Sequence, residues 1–364
     1  MIKFDDIGPE KILEVYDAET KMHGFVIIDN TNRGPGKGGV RMTPDITADE
    51  VFRLARVMTW KTAMADLPFG GAKSGIVADA KTLSQKQKDA IVANFSKALK
   101  IVSPEIYIAA PDMNTAEHEM EIFANANGSL KSCTGKPAKM GGLPHELGST
   151  GFGVAQSAIV AIKHLNMNIK KTSFVVEGFG NVGWFAAKFL TDYGARLVGV
   201  SDSKGFIYSK DGIDFKKLED VKKKTGSVIN YKPGNSMEGR EILKAKADVL
   251  ITAAIPDLVK ENDVSSMNFK LIVEGSNIPM SADVEKLLAK KGILVVPDFV
   301  ANAGGVISSY IEYIGGTKAQ MFKMIEEKIK KNTELVLNNA KNENMPPRNA
   351  AEEIAKLRVI KAKK

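Results

Sequence analysis

Hydrophobic residues follow a helical period near the start of the chain. Thr47-Ala-Asp-Glu50 is a capping box and predicts a helix that runs to about Asp66, because Leu67-Pro68 follows. The residues that share one face of this helix, by their spacing of three and four, are Val51, Leu54, Met58, Lys61 and Ala65. The pattern predicts an amphipathic helix with one lysine on its apolar side.

Other elements follow on both sides of this helix. We expect a strand at 24–29, a helix over about 84–100 and a short strand at 106–110. Glycine becomes dense from Gly135 to Gly153, which indicates a junction between domains. A chain of 364 residues also suggests two domains, at about 150 residues per domain, and two domains imply a cleft.

From about residue 151, apolar runs alternate with helical segments. The expected strands are 172–177, 196–201, 248–253, 271–274 and 293–297, and 181–193 is expected to be a helix. A parallel sheet covered by helices requires this alternation. The last part, 308–364, is predicted to be mostly helical and to return in part to the first domain.

A glycine pattern joins the first of these strands to its helix. Gly178-Phe179-Gly180-Asn181-Val182-Gly183 has the spacing and context of the dinucleotide-binding fingerprint. In that motif Gly178 permits a tight turn, Gly180 lets the pyrophosphate approach and Gly183 allows close packing of the helix, whose N-terminus supplies amide donors. A structural glycine turn is the alternative. The pattern favours a Rossmann-type cofactor-binding domain in an α/β chain of two domains.

An acidic residue follows the next predicted strand. Asp202 lies 24 positions after Gly178, close to the spacing of about 20 expected for a carboxylate that binds the ribose 2′-hydroxyl. Such a carboxylate repels a 2′-phosphate and favours NAD. The adjoining Ser201, Ser203 and Lys204 are suited to holding a phosphate, so the choice between NAD and NADP stays open.

Three lysines lie in or near glycine-rich or apolar surroundings. Lys37 is framed by Gly34-Pro-Gly and Gly38-Gly39, and Lys73 lies in the segment Gly70-Gly-Ala-Lys-Ser-Gly75. Flanking glycines leave Lys73 little local cover and let a ligand approach the backbone. Lys61 has a plainer alternative, a side chain that extends from the helix edge to solvent. Three lysines in one cleft would lower the pKa of at least one and attract a substrate with more than one carboxylate.

Asp112, in the loop after the 106–110 strand, is a candidate proton carrier, with a turn or cap residue as the alternative.

The net charge of +8 agrees with an anionic substrate. The lysine-rich runs at 222–224 and 328–331 lie beside acidic residues without interleaved aromatics, which argues against nucleic acid. The single cysteine, Cys133, fits a reducing compartment and no zinc site. We expect no metal, no membrane association and a cytoplasmic protein.

Several segments together resemble the glutamate, leucine, phenylalanine and valine dehydrogenase family, over nearly the whole chain. The segments that carry the resemblance are GPGKGGVRM (34–42), MTWKTAMADLPFGGAKSGI (58–76), AAPDMNT (109–115), TGKP (134–137), STGFGV (149–154), EGFGNVG (177–183), EGSNIP (274–279) and PDFVANAGGVISSYIE (297–312). The segment 141–148 departs from the family's usual version. Its His145 is either a contact near the cleft or a surface-loop histidine.

The resemblance implies a role for each matching residue. Lys61 would bind the substrate α-carboxylate, Lys73 would be the catalytic lysine that activates water, and Asp112 would be the general acid and base. Gly38 and Gly39 would line the floor beside the substrate. Thr150 and Asn302 would border the nicotinamide and the substrate. The remaining residues expected at the cofactor are Asn277 at the nicotinamide ribose, together with Ala253 and Ala254.

The resemblance also indicates the substrate. Members that act on glutamate have a lysine in the GP-x-K-GG frame and a serine seven residues after the Asn of NAGG, and this chain has Lys37 and Ser309. A lysine and a hydroxyl suit a γ-carboxylate and would be left unpaired by an isobutyl group. The expected reaction is NAD- or NADP-dependent deamination of L-glutamate to 2-oxoglutarate and ammonium, and its reverse.

The expected domains are a substrate-binding and oligomerisation domain, 1–148 with 336–364 returning to it, and a dinucleotide-binding Rossmann domain, 149–335. The family implies a homo-oligomer, with a hexamer favoured. Two alternatives remain open at this stage. One is a leucine- or valine-type amino-acid dehydrogenase, and the other is a catalytically silent paralogue that senses a ligand.

Overall fold

We describe a computed structural model of the chain for residues 2–363, without the side chain of His145, so the prediction for that histidine lies outside the described part. These residues form two compact units. The first contains the chain up to Leu147, Val306–Met321 and the residues from Glu352 onward. The second contains Gly148–Gly305 and Phe322–Ala351.

The first unit is built on a mixed sheet packed against helices. Its strands are β1 (Lys11–Asp17), β2 (Met22–Asn30), β3 (Gly36–Lys37), β4 (Val40–Thr43), β5 (Gly70–Val77) and β6 (Tyr107–Ile108), and its first three helices are α1 (Ala48–Met64), α2 (Gln85–Ala98) and α3 (Glu117–Asn127). Over the described residues the sheet order is β1-β2-β5-β3-β6, with β4 also paired to β5. β3 runs parallel to both β5 and β6. Lys37 on β3 and Lys73 on β5 therefore lie on neighbouring strands, and the loop after β6 begins on the other side of β3.

Helix α1 lies on β5 with a different face from the expected one. Its buried residues include Val51, Ala55, Thr59 and Thr62, whereas Leu54, Met58 and Lys61 are only partly buried. The cause is the close approach of helix and strand, since a Cβ on Gly71 would lie 2.1 Å from Oγ1 of Thr59. Small helix residues therefore face the sheet, and Lys61 lies at the margin of the buried face.

The second unit is a doubly wound sheet. Its strands are β7 (Ser173–Glu177), β8 (Arg196–Asp202), β9 (Gly205–Tyr208), β10 (Asn235–Met237), β11 (Val249–Thr252), β12 (Leu271–Glu274) and β13 (Leu294–Val296), and its helices begin with α4 (Ser149–His164), α5 (Asn181–Asp192), α6 (Phe215–Thr225), α7 (Glu261–Val264), α8 (Ala282–Lys290) and α9 (Asp298–Ala301). The described strands are ordered β10-β9-β8-β7-β11-β12-β13. The five neighbouring strands β8, β7, β11, β12 and β13 run parallel to one another. β8 and β11 flank β7 on opposite sides, so ligands are expected at its carboxyl end.

The last three helices are α10 (Gly304–Tyr313), α11 (Lys318–Asn342) and α12 (Pro347–Lys361). The chain enters the first unit over Val306–Met321, passes through the second unit over Phe322–Ala351 and rejoins the first unit from Glu352, whereas a single return at 336 was expected. Side-chain contacts explain the difference. Within the first unit the rings of Tyr310 and Tyr313 pack edge-on against Phe69, with centroids 5.6 and 5.3 Å away. A helical pattern in the sequence does not identify such distant partners.

Candidate functional site

A lysine and an aspartate from separate elements meet in the first unit. Nζ of Lys73, on β5, donates to Oδ2 of Asp112, which lies in the loop after β6. Arg41, on β4, reaches the other oxygen of the same carboxylate, with Nη2 3.3 Å from Oδ1. Burial alone would raise the pKa of Asp112, but Lys73 and Arg41 lower it below its ordinary value. The Asp112 carboxylate is therefore ionised in the free chain.

The turn around Asp112 fixes the direction of its carboxylate. The backbone N–H of Met113 donates to Oδ1 over 2.6 Å, and the N–H of Asp112 donates to Oγ1 of Thr115 over 3.0 Å. The Thr115 hydroxyl in turn donates to the carbonyl of Val40 over 2.7 Å. These bonds attach the loop to β4, so the position of Asp112 is set by the sheet.

Lys37 is almost completely buried, with 1% of its surface exposed. Its Nζ donates to the carbonyl oxygen of Ala109 over 2.6 Å and to that of Ile108 over 3.4 Å. Burial, together with the charges of Lys136 and Lys73, lowers the pKa of Lys37 to about 7, although Cys133 and Glu312 act to raise it. The direction agrees with the expectation for clustered lysines, but burial is the larger cause. An ammonium has three donors, and these two carbonyls accept from two of them.

The glycines around these lysines face protein atoms. A Cβ on Gly38 would lie 1.7 Å from the carbonyl oxygen of Ala72, and one on Gly39 would lie 2.8 Å from Cβ of Asp112. A Cβ on Gly75 would meet Ile46 at 2.7 Å. The expectation that the glycines flanking Lys73 admit a ligand to the backbone is therefore corrected, because the space at Gly71 and Gly75 is taken by close packing around α1.

Two further residues predicted to bind substrate, Lys61 and Ser309, also lie in the first unit. Lys61 is in the last turn of α1 and is partly buried. Ser309 is on α10 and is partly buried as well. It lies one helical turn before Glu312, whose charge acts on Lys37.

In the second unit, the three glycines after β7 have three different surroundings. Gly178 has a φ of +87°, and a Cβ there would lie 2.5 Å from that of Ala254. A Cβ on Gly183 would lie 1.8 Å from the carbonyl oxygen of Gly178, whereas one on Gly180 would meet nothing within 4 Å. Gly178 thus forms the turn, Gly183 permits helix packing, and Gly180 leaves open space before the N-terminus of α5. The first-turn amides of that helix are donors suited to a phosphate.

Asp202 lies at the end of β8, as the sequence predicts, but its carboxylate is already occupied. Lys222, Lys204, Ser227 and Val228 all donate to it over 2.7–3.0 Å. Ser203 and Lys204 are exposed beside it. Ser201, which the sequence also suggests as a phosphate ligand, is buried, and its hydroxyl accepts from the N–H of Gly178 over 3.2 Å.

Some residues predicted at the cofactor are engaged within the protein. The backbone amides of Ala253 and Ala254 donate to Oε2 of Glu177 over 3.0 and 3.1 Å. Burial raises the pKa of this glutamate. Phe179 is buried and its ring lies 6.2 Å from that of Phe215. Asn181 and Val182 are the first two residues of α5.

Asn277 and Asn302 lie together in the second unit. Nδ2 of Asn302 donates to Oδ1 of Asn277 over 2.9 Å and to the carbonyl of Gly275 over 3.4 Å. Thr150, near the start of α4, has its hydroxyl 3.0 Å from where a Cβ on Gly305 would lie. The side-chain amide of Asn277, in the loop 275–279, therefore lies next to that of Asn302, which directly follows α9.

The family follows from comparison with known proteins. Residues 141–364, more than half of the chain, match the family described as Glutamate/Leucine/Phenylalanine/Valine dehydrogenase. Residues 9–127 match its dimerisation domain. This chain belongs to the Glu/Leu/Phe/Val dehydrogenase family. It is an amino-acid dehydrogenase with a two-domain α/β fold, and the predicted family and fold class are confirmed.

Individual relatives agree with this assignment. The chain is 40% identical to a glutamate dehydrogenase of Aeropyrum pernix, over 98% of this chain and 91% of the relative. It is 39% identical to an NADP-specific glutamate dehydrogenase of Saccharolobus shibatae, over 84% and 75% of the two chains. The crystal structure of a hetero-hexameric glutamate dehydrogenase from Thermus thermophilus superposes with a TM-score of 0.85 at 26% identity, covering 97% of this chain and 89% of the other.

The second unit of this dehydrogenase fits a dinucleotide. Oδ1 of Asn302 is buried and has no hydrogen-bond partner among residues 2–363. A buried polar atom without a partner is costly, and a ligand donor would satisfy it. The open space at Gly180 and the amides of α5 suit a pyrophosphate. Gly178, Gly180, Asn181, Val182, Gly183, Asn277 and Asn302 are therefore the residues best suited to hold the cofactor.

Sequence reasoning assigned no role to several groups at these sites in the dehydrogenase. In the first unit they are Arg41, Lys136 and Glu312, and in the second they are Glu177 and Lys222. Arg41 and Lys136 do lie in the GPGKGGVRM and TGKP segments, but their partners are far away in the chain.

No helix in the described part of the chain is both long enough and apolar enough to cross a membrane.

Proposed function

We propose that this dehydrogenase catalyses the NAD(P)-dependent oxidative deamination of L-glutamate to 2-oxoglutarate and ammonium, and the reverse reductive amination. The observation that carries the proposal is the ammonium of Lys37, buried to 1% exposure in the same sheet as the Lys73–Asp112 pair. An apolar side chain would leave this buried group without an ion-pair partner, whereas a γ-carboxylate supplies one. The glutamate dehydrogenases named above support the same substrate.

The substrate is held at both ends in this proposal. Lys61 binds the α-carboxylate, and the remaining donor of Lys37 binds the γ-carboxylate together with the hydroxyl of Ser309. Gly38 and Gly39 let β3 approach β5 and Asp112 closely, which places Lys37 on the strand next to Lys73. Cations at both ends of a dicarboxylate orient its Cα with respect to the reacting groups.

Asp112 and Lys73 perform the proton transfers. Ionised Asp112 accepts a proton from the substrate ammonium, which leaves a neutral amine whose electron pair assists loss of hydride from Cα. A bound oxidised nicotinamide would supply the acceptor for that hydride. Lys73 then orients water for attack on the iminium carbon, and Asp112 returns its proton to the nitrogen. The C–N bond breaks as the carbonyl forms, so that the nitrogen leaves as ammonia while solvent takes up the two protons released by the water. In the second unit, Asn277 would hold the nicotinamide ribose, and Thr150 and Asn302 would border the nicotinamide.

Initial rates test the substrate assignment. They are measured for 2-oxoglutarate and for branched 2-oxo acids with ammonium, each with NADH and NADPH. We expect 2-oxoglutarate to be strongly preferred, and Lys37→Leu with Ser309→Val to reduce its turnover far more than that of the branched acids. The matched control is Lys139→Leu with Ser129→Val, at two positions outside the proposed site. A wild-type preference for branched acids, or an unchanged ratio in the double variant, would contradict the pocket assignment.

We also propose that the chain forms a homo-oligomer, with six subunits favoured. The match of residues 9–127 to a dimerisation domain and the hexameric relative support this. Analytical ultracentrifugation would detect a species of six times 39.4 kDa. A monomer at micromolar concentration would refute the proposal.

A further inference from the structure

A cavity of about 550 Å³ lies within the second unit, apart from the groups described above. Its walls are formed by β8, β9 and β10 and by the chain at and after a 3₁₀ helix, Gly239–Lys244. This volume is in the range of pockets that bind small organic ligands. None of the residues proposed to hold substrate or cofactor lines the cavity, so it has no part in the reaction derived above.

The inner wall of the cavity is apolar. Val198, Phe206 and Ala245 line it, are buried, and pack in one core cluster. The ring of Tyr208 lies next to that of Phe206, with centroids 6.2 Å apart, and the half-buried Met237 is paired with Phe206 on the neighbouring strand. Two aromatic rings and three aliphatic side chains form a surface that suits an apolar ring or chain.

The rim of the cavity is cationic. Arg196, Lys210 and Lys246 line it and are exposed to solvent, and within residues 2–363 none of the three has a carboxylate at ion-pair distance. The one acidic residue that the described part of the chain contributes to the wall, Glu241, is paired with Lys244 over 2.7 Å. Three positive charges therefore surround an apolar cavity without an acidic partner.

Hydrogen bonds between separate segments build this rim. Nη1 of Arg196 donates to the carbonyl oxygen of Lys210 over 2.9 Å, which joins the start of β8 to the turn after β9. The hydroxyl of Tyr208 donates to the carbonyl oxygen of Lys246 over 3.0 Å, which joins the end of β9 to the segment before β11. The backbone positions of the three cations are therefore fixed before a ligand arrives, which reduces the entropy cost of binding.

The three cations lie at the edge of the sheet opposite to the cofactor motif. Arg196 begins β8, whereas Asp202 ends it. Lys210 follows β9, which is antiparallel to β8, and Lys246 precedes β11, which runs in the same direction as β8. A dinucleotide binds at the carboxyl ends of the parallel strands. The cavity at their amino ends is therefore a separate site.

We propose that this cavity is a second ligand site of the enzyme, which binds an organic anion with an apolar body and a phosphate head. The inner wall takes the apolar body, and Arg196, Lys210 and Lys246 bind the head. A phosphate monoester carries a charge of about −1.5 to −2 at pH 7 and offers three acceptor oxygens, which several cations match better than one. The guanidinium fork also suits phosphate geometry. This site goes beyond the proposed function and does not depend on which amino acid is the substrate.

Calorimetric titration of the full chain with 1-naphthyl phosphate tests the site. The reduced cofactor that binds more tightly and 2-oxoglutarate are present at saturation without ammonium, so that the reaction site is filled but does not turn over. Inorganic phosphate and 1-naphthol supply the head and the body separately. We expect the ester to bind at least about tenfold more tightly than either, because it alone gains both apolar burial and charge-assisted hydrogen bonds. An ester that does not bind, or binds no better than inorganic phosphate, would overturn the proposal.

Variants separate the head from the body of the site. Lys210→Gln and Lys246→Gln each remove an exposed cation, so each should weaken the ester by about threefold and the double variant by at least about tenfold, with the affinity for 1-naphthol unchanged. Ala245→Leu fills the inner wall and should weaken both the ester and 1-naphthol. Lys290→Gln, at the exposed end of α8, is the matched control. Thermal unfolding establishes that each variant is folded.

The outcomes distinguish this site from the reaction site. Loss of ester binding in the double lysine variant, with turnover of 2-oxoglutarate equal to wild type, supports a separate site. If the double variant binds the ester as tightly as Lys290→Gln does, the lysines do not form the site. Competition between the ester and the cofactor, or a folded double variant that loses turnover together with ester binding, would place the ester in the reaction site and overturn the proposal. A protein that binds the ester but deaminates no glutamate refutes the proposed substrate and leaves this inference intact.

Discussion

Lys136 and Glu312 form an ion pair of 2.6 Å in which both side chains are nearly inaccessible, at 5% and 2% exposure. The Glu312 carboxylate also accepts from the backbone amides of Gly135 and Leu143, over 2.9 and 3.1 Å. These contacts attach α10, and with it Ser309, to the 135–143 segment of the first unit. The pair therefore fixes a helix that the proposed pocket needs.

Lys136→Met is expected to destabilise the protein, because it leaves a buried carboxylate without its counter-ion. The expected loss in the free energy of unfolding is about 3–5 kcal/mol, measured by urea denaturation. Lys188→Met, which removes an exposed partner of Asp192, should cost less than about 1 kcal/mol. Similar losses in the two variants would show that the buried pair contributes no more than a surface one.

Asp112→Asn should abolish most of the activity without preventing cofactor binding. The amide keeps a hydrogen-bonding oxygen for Met113 but accepts no proton, so we expect kcat to fall by about 10²–10⁴. Calorimetry with NADPH should give an unchanged affinity, since the cofactor groups lie in the other unit. Asp89→Asn, on α2, serves as the control. A kcat within threefold of wild type would remove Asp112 from the proton transfers.

The pH dependence of substrate binding should reveal the state of Lys37. Its pKa of about 7 means that the free chain loses the ammonium as the pH rises through neutrality, while a γ-carboxylate binds only the protonated form. The KM for 2-oxoglutarate should be flat below pH 7 and rise by up to about tenfold per unit above it. Lys37→Met should give a high KM with no such rise. A flat wild-type profile from pH 6 to 8.5 would argue against this role.

The free energy of unfolding should increase as the pH rises, whereas substrate binding should weaken. The pKa of Lys37 is about 7 in the folded chain, against about 10.4 when unfolded. Between these values the unfolded chain binds the extra proton, so folding becomes more favourable as pH rises. Wild type should gain up to about 1.4 kcal/mol per pH unit relative to Lys37→Met from pH 7 to 10. The measurement is urea unfolding of both proteins at each pH, and parallel curves would contradict a depressed pKa.

The glycine turn should separate stability from ligand binding. A Cβ on Gly180 meets no atom within 4 Å, so Gly180→Ala should fold normally but bind NADPH more weakly, because its methyl group enters the cofactor space. Gly183→Ala would overlap the carbonyl of Gly178 and should lose about 1–3 kcal/mol of stability. Thermal unfolding and calorimetry test both. Tight NADPH binding by Gly180→Ala would exclude the expected approach of the pyrophosphate.

Local features of this protein were accessible from the sequence. The N-terminal cap of α1 by Thr47, the glycine turn after β7 and the strand leading to Asp202 depend on neighbouring residues, and all three occur where expected. The predicted capping box is only half formed, because the carboxylate of Glu50 pairs with Arg41. The occupation of Asp202 was not accessible, because Lys222 is 20 residues away on a helix whose rotation about the sheet depends on packing. The same holds for Glu312 and Lys136, which are 176 residues apart.

The second unit depends on a segment from near the end of the chain. Arg348 pairs with Glu274, Glu285 and Asp298 over 2.6–3.1 Å, and all three carboxylates are buried. A fragment ending at Gly305 would hold these acids without their cation. A cofactor-binding half that folds alone must therefore be assembled from two pieces, 148–305 and 322–351. Exchange of this half alone between related enzymes, in the laboratory or by recombination, would require four crossovers, whereas a half made of one internal piece would require two.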